Sequence, residues 1–349
     1  MVNTLSGATI TNLKRDARTR AGLLSHSGSH LLVGGFDRCV SIVKVDEGAR
    51  LFRFKDVLQD VFALAATDHG GDEILVVGGL RTPTASGGGK GVTVVFDAAT
   101  GTAISRWERA KPVYALALTQ EGAQCAVGAY DNQVIVHDVA TGAPQQTYTY
   151  KSTVGPAFIW SVSFSGCGNR LAVGCWNHRA YVYENMQLNP SDDGEEVDNN
   201  DDDSSSSNDD EDSSEDEDDS ERKGSARSIK RCPEESPYAE FKRKDRVYSA
   251  NLTYDGERLL VGGRDKRVVM YQVFPVRKIW SHKAKDIVYS ASLSADSSVC
   301  AVGGPMDHVS STAVLDGNTV FRPVAAASCR GAPAVMPRVL NIPATGDGA

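Results

Sequence analysis

A short apolar run closing on glycine recurs six times along this chain, and it limits the folds open to the sequence more than any other feature. The copies are L-V-G-G at 32–35, V-V-G-G at 76–79, A-V-G at 126–128, A-V-G at 172–174, L-V-G-G at 260–263 and A-V-G-G at 301–304. Each sits inside a longer unit whose period of about 40 to 50 residues is that of a four-stranded repeat stacked against its neighbours. The clearest unit runs from Val113 to Tyr150: V-Y-A-L-A-L, T-Q-E-G, Q-C-A-V-G-A, Y-D-N-Q, V-I-V-H-D-V, A-T-G and Q-Q-T-Y-T-Y. Four short β-branched or alternating runs, cut by Gly, Asp and Asn, predict four strands joined by tight turns.

The other units repeat this order. First strands with their turns read S-V-S-F-S-G-C-G at 161–168, S-A-N-L-T-Y-D-G at 249–256 and S-A-S-L-S-A-D-S at 290–297. The glycine of the second strand is expected to let the inner strands crowd toward a central channel. Polar turns follow it at Asp37-Arg38, Asp131-Asn132, Asn177-His178, Asp265-Lys266 and Asp307-His308, where Asp or Asn can bond a backbone amide two residues on. Fourth strands end on an aromatic: Phe54, Trp107, Tyr150, Phe241, Trp280 and Phe321. The expected fold is therefore all-β, a β-propeller of four-stranded antiparallel blades with six recognisable repeats.

On these residues the chain resembles the WD-repeat family. Leu252, Thr253, Asp255 and Gly256 match its apolar, Ser or Thr, turn, D-G signature, and Phe96-Asp97 and His137-Asp138 are similar to its third-strand W-D ending. No unit carries the family's G-H dipeptide or an intact W-D pair, and all four tryptophans fall outside that slot. The family's Asp, His, Ser and Trp hydrogen-bond tetrad is expected to be incomplete here. The resemblance covers about residues 20 to 322, and it implies a ring of seven blades closed by a mixed last blade. Against that pattern the sequence leaves two readings, a ring of six blades or an incomplete seven-bladed ring shortened or altered at its C-terminal end, and the second is preferred. Ala8 to Leu13 would supply one outer strand and Arg338 to Ile342 one partner strand. The organisation read from the chain is an N-terminal segment (1–20), the propeller (21–322), an insertion within one blade (189–236) and a C-terminal tail (323–349).

The net charge of −8 conceals an asymmetry. Asp192 to Glu221 holds eighteen acidic residues and no Lys or Arg; taking those from 45 leaves 27 acids against 37 bases, so the rest of the chain is near +10. The segment falls between the third strand A-Y-V-Y-E (180–184) and the fourth strand P-Y-A-E-F-K (237–242), in a loop on the face opposite the Asp37, Asp131, Asn177 and Asp265 turns. Its composition cannot supply a core, so it is expected to be disordered, attracted at low salt to the basic body. Ser213, Ser214 and Ser220, each followed by acids, suit an acidophilic kinase. Two basic clusters follow, R-K-G-S-A-R-S-I-K-R (222–231) and K-R-K-D-R (242–246), the second read as a charged, exposed blade edge. Neither has the interleaved aromatics of a nucleic-acid groove, so direct nucleic-acid binding is not expected.

Enzymatic signatures are missing. S-G-G-G-K-G-V-T (86–93) lacks the Ser or Thr after Lys that a phosphate loop needs, and it reads as a hairpin loop. The seven histidines form no H-x-H or H-E-x-x-H group, and the seven scattered cysteines read as free thiols of a reducing compartment. No apolar run approaches the roughly 18 residues of a membrane helix, and no secretory leader is evident. The expectation is a non-catalytic protein-interaction scaffold of the cytoplasm or nucleus, with no cofactor and no metal. Its contact face would carry Phe36, Tyr130, Trp176, Arg264 and Lys266, since aromatics and Arg dominate such contacts. A nuclear binder of histones or ribosomal proteins acting through the acidic loop is the second reading, and an enzyme with its site in the channel the third.

Overall fold

The structure, a computed structural model, describes residues 19–24, 30–45, 47–55, 58–69, 72–83, 89–98, 100–151, 157–184, 236–293, 299–304, 309–314, 321–322 and 336–338. These residues form six antiparallel sheets of four strands, the first with one added strand, and no helix occurs among them. The first sheet is β1 (Thr19–Leu24), β2 (His30–Gly35), β3 (Cys39–Lys44) and β4 (Arg50–Lys55). The second is β5 (Asp60–His69), β6 (Asp72–Pro83), β7 (Gly89–Asp97) and β8 (Ala103–Arg109). The third is β9 (Val113–Leu118), β10 (Gln124–Ala129), β11 (Gln133–Asp138) and β12 (Pro144–Thr149). The fourth is β13 (Ile159–Phe164), β14 (Arg170–Cys175), β15 (Arg179–Glu184) and β16 (Ala239–Lys242). The fifth is β17 (Val247–Leu252), β18 (Arg258–Gly263), β19 (Arg267–Gln272) and β20 (Arg277–Lys283). The sixth is β21 (Ser290–Leu293), β22 (Val299–Gly303), β23 (Val309–Val314) and β24 (Phe321–Arg322).

Each sheet is a blade whose first strand packs against the first strand of the next, from β1 through β5, β9, β13 and β17 to β21. The core lies between blades. One buried cluster joins Val134, Tyr148 and Tyr150 of the third blade region to Ile159, Leu171 and Tyr183 of the fourth, and similar clusters occupy the other interfaces. Second strands are covered on both faces, which is why β10 is buried along its whole length and reads as an unbroken apolar run.

The recurrent second-strand glycine serves these interfaces rather than the channel. A Cβ on Gly34 would lie 2.4 Å from Val61 Cγ1, and one on Gly128 would lie 2.5 Å from Ile159 Cγ2. Gly78, Gly174 and Gly262 meet Val113, Val247 and Val288 in the same way. Each glycine receives the β-branched residue that opens the next blade's inner strand, and burying such a side chain is worth about 1.5–3 kcal/mol. The glycine thus lets the next blade's inner strand approach closely.

Outer strands lock onto the following blade through the aromatics that end them. Phe54 lies 4.8 Å from Phe96, Trp107 stacks on His137 at 4.3 Å and 5°, Tyr150 meets Tyr181 at 5.1 Å, and Phe241 meets Tyr271 at 4.9 Å. Phe96 and His137 thus occupy the slot where the W-D tryptophan was sought. The aspartates after them close the next turn, Thr100 N–H donating to Asp97 at 2.9 Å and Thr141 N–H to Asp138 at 2.7 Å.

At the C-terminal end, β25 (Met336–Arg338) pairs in parallel with β1, Ala21 opposite Met336, and also lies beside β21. The strand anticipated over 338–342 therefore begins earlier, and it joins the inner edge of the first blade, not an outer edge. Ala8 to Leu13, the acidic segment and Ser213, Ser214 and Ser220 lie outside the described residues. The insertion's place is nevertheless fixed by its flanks, because Val182 of β15 pairs with Ala239 of β16.

Candidate partner-binding site at the channel mouth

Inner strands enter the channel through an irregularity repeated blade after blade. In β1, Thr19 pairs with Gly35 and Ala21 with Gly34, leaving Arg20 as the extra residue of a β-bulge. The same shift leaves Phe62 extra in β5, Tyr114 in β9, Trp160 in β13 and Tyr248 in β17. Tyr289, just before β21, holds the equivalent place in the sixth blade. A bulge re-aims the side chain it carries. Here the six residues converge on a cavity of about 50 Å³ to which every inner strand contributes.

The inner strands are also tied laterally below this opening. Ser161 Oγ donates to Ala250 O at 3.2 Å and accepts from Ala250 N–H at 3.1 Å, and Ser249 makes the same pair of bonds with Ala291, both at 3.0 Å. The fourth, fifth and sixth blades therefore hold the mouth in a fixed geometry.

Around the opening the rings form one continuous surface. Phe62 stacks on Tyr114 at 4.8 Å, Tyr114 lies 5.0 Å from Trp160, Trp160 contacts Tyr248 at 5.5 Å, and Tyr248 contacts Tyr289 at 5.1 Å. The turns between second and third strands extend it outward. Phe36 packs edge-on to Phe62 at 6.1 Å, Tyr130 stacks on Phe158 at 3.3 Å, and Trp176 stacks on Trp160 at 5.6 Å. Phe36 and Tyr130 remain exposed.

Among the described residues lining the cavity Arg20 is the one cation, its guanidinium 5.9 Å from the Phe62 ring and 5.8 Å from Trp160. It has no ion pair or hydrogen bond among the described residues. Burial lowers its pKa, while the phenols of Tyr114 and Tyr289 act in the opposite direction. Burial likewise raises Tyr114, with Arg20 opposing.

The five residues singled out in the sequence fall on this one face, in two groups. Phe36, Tyr130 and Trp176 join the aromatic surface. Arg264 and Lys266 sit at its edge, Arg264 Nε 4.0 Å from Asp245 and Lys266 Nζ 3.2 Å from Asp286, exposed pairs that hold the side chains weakly. The turns themselves are shaped by left-handed residues, Arg38, Asn132, His178 and Lys266, with φ between 58° and 68°. Asp131 and Asp265 accept from the amide two residues on, at 3.2 and 3.3 Å. Both also take a buried arginine from the end of the preceding blade's outer strand: Arg109 reaches Asp131 at 2.7 Å and Arg243 reaches Asp265 at 2.8 Å.

The cluster at 242–246 is therefore not a bare charged edge. Arg243 is locked to Asp265, and Arg246 lies 3.6 Å over the Trp176 ring. Sequence reasoning also passed over Arg20, Phe62, Trp160, Tyr248 and Tyr289. The four aromatics stand in V-F-A, I-W-S and the two V-Y-S runs, the last three starting two residues upstream of the first-strand motifs at 161, 249 and 290, whereas Arg20 carries no such signal. Lys90 of the glycine-rich stretch stands in β7, 3.9 Å from Glu108, and Pro83 pairs across to Gly89. Cys39, Cys125, Cys175 and Cys300 are buried free thiols and Cys167 is exposed.

Radial four-stranded blades around a shared mouth define a β-propeller. Within it, residues 144–184 match the family model described as WD domain, G-beta repeat, and the repeated four-stranded antiparallel sheets are consistent with a propeller of that kind. That stretch runs from β12 to β15, so the matched unit takes the outer strand of one blade and the first three strands of the next. No curated protein matches the chain.

Proposed function

We propose that this chain is a non-catalytic protein-interaction scaffold that docks partners over the channel mouth and the surrounding turns. WD-repeat domains in general mediate contacts between proteins. The observation that carries the reading is the unbroken aromatic surface from Phe36 and Phe62 to Tyr248 and Tyr289, collected on one face by five bulges, the equivalent place before β21 and their neighbouring turns. Rigid aromatic area of this kind supplies most of the energy of a contact at low entropic cost. Among the described residues the cavity's lining, which includes Arg20, Tyr114, Trp160 and Asn251, contains no carboxylate, His or Cys to act as acid, base or nucleophile, and this favours docking over a channel-sited reaction.

The acidic insertion leaves between β15 and β16, on the opposite face, and serves as an accessory contact for basic proteins such as histones or ribosomal proteins. Buried free thiols fit a cytoplasmic or nuclear protein. The test is quantitative co-purification of the wild type against a Phe36→Ala, Tyr130→Ala, Trp176→Ala variant whose melting temperature is checked in parallel. Loss of the principal partners by about tenfold or more is expected. Undiminished capture by a folded triple variant would move the docking surface elsewhere.

A further inference from the structure

Among the described residues, the channel mouth presents hydrogen-bond donors that meet no acceptor. Arg20 reaches it with its planar fork unpaired, and the hydroxyls of Tyr114, Tyr248 and Tyr289 surround it with no hydrogen bond of their own among the described residues. A guanidinium drawn out of water against aromatic rings is costly to leave so, and an anion restores what burial removes. Among the described residues on the linkers and turns of this face, bases still outnumber acids: Arg38, Lys111, Lys151, Lys244, Arg246, Arg264, Lys266 and Lys285 stand against Asp37, Asp60, Asp245 and Asp286, with Asp60 close enough to act on Tyr114.

We infer that the channel mouth is a carboxylate-binding site, in which Arg20 receives an Asp or Glu side chain of an acidic segment of a partner protein. The size of the opening supports a side chain, since about 50 Å³ has room for a few water-sized groups. The cation count selects the carboxylate over a phosphate. One guanidinium fork matches one carboxylate bidentately and neutralises its single charge, whereas a phosphate dianion would need a second cation, and Arg246 is engaged over Trp176 instead. The aromatic collar excludes water around the pair, and the basic rim steers an acidic peptide toward it.

This inference rests on the docking face proposed above and is separable from it. The probes for isothermal titration against the full chain are a blocked dodecapeptide of alternating Glu and Ser, its Gln–Ser counterpart, and a Gln–phosphoserine version. Expected are binding of the Glu peptide, none of the Gln peptide, and a loss of at least about tenfold in Arg20→Gln. Because Arg20 has no acidic partner among the described residues to lose, the melting temperature of that variant should stay level or rise. A second readout uses the wild type alone: the Glu peptide should change the fluorescence of Trp160, a response that Trp160→Phe abolishes. Equal affinity in Arg20→Gln, or preference for the phosphoserine peptide, would overturn the assignment. So would binding that appears only after residues 192–221 are deleted, since the chain's own acidic segment would then be the occupant. Partners that depend on Phe36, Tyr130 and Trp176 but not on Arg20 would leave the docking face standing and remove the carboxylate site.

Discussion

His137 shows how a family slot can be refilled by a different residue with a different liability. Its ring lies flat on Trp107, and Nδ1–H donates to Gly142 O at 3.2 Å. Burial lowers its pKa most, the Gly142 bond opposes that, and nearby Arg109 lowers it further. The folded ring therefore stays neutral in a range where the unfolded chain, with an ordinary value of 6.5, takes up a proton. Unfolding then binds protons, so stability is full above that value and falls as the pH drops through it. Urea midpoints at pH 7.5 and 5.5 should differ more for the wild type than for His137→Phe, which keeps the stacking and loses the titration. The variant should lose about 1 kcal/mol at pH 7.5, for the missing hydrogen bond. His282, also lowered by burial, accounts for slope that remains. Parallel slopes in the two proteins would show that His137 is not the group responsible.

Between elements, the turn aspartates do more than the sequence implied. Asx-turn chemistry was legible at Asp131 and Asp265, because it needs only the residue type and a neighbour two positions on. Their arginines were not, since Arg109 and Arg243 lie 22 residues earlier and arrive from another blade. The same limit applies to the mouth: apolar periodicity locates a strand, while a bulge shifts the register by one residue and turns a ring that reads as core into the channel. The repeat and the four-strand order were legible for the opposite reason, being set by local turns and alternation. Removing the charge of Asp265 would strand Arg243, whose side chain is 3% exposed, and Asp265→Asn should cost about 3–5 kcal/mol in chemical unfolding. The exposed Lys266–Asp286 pair offers the control, with Asp286→Asn costing under about 1 kcal/mol. Similar losses from the two variants would mean that the buried pair is not holding the blades together.

At the scale of the molecule, the chain combines a body near +10 with a segment of eighteen acids tethered to one blade. The tether is anchored by the Val182–Ala239 pairing, so folding must close a loop of roughly fifty residues there. Replacing 190–235 with a ten-residue Gly-Ser linker shortens that closure about threefold, which on loop entropy alone stabilises the fold by about 1 kcal/mol. Attraction between segment and body acts in the other direction, and its range is the Debye length, about 10 Å at 0.1 M salt and about 3 Å at 1 M. The two effects separate by ionic strength. At 1 M NaCl the replaced protein should unfold at higher urea than the wild type, by the entropic amount. As salt is lowered to about 10 mM, the advantage should shrink or reverse, because the wild type regains a contact that the replacement lacks and the bare basic body repels itself. A difference that is constant across the salt series would show a tether that hangs clear of the body, leaving its acids free for basic partners. A difference that vanishes only at low salt would show a segment that must be displaced from its own propeller before it can bind anything else.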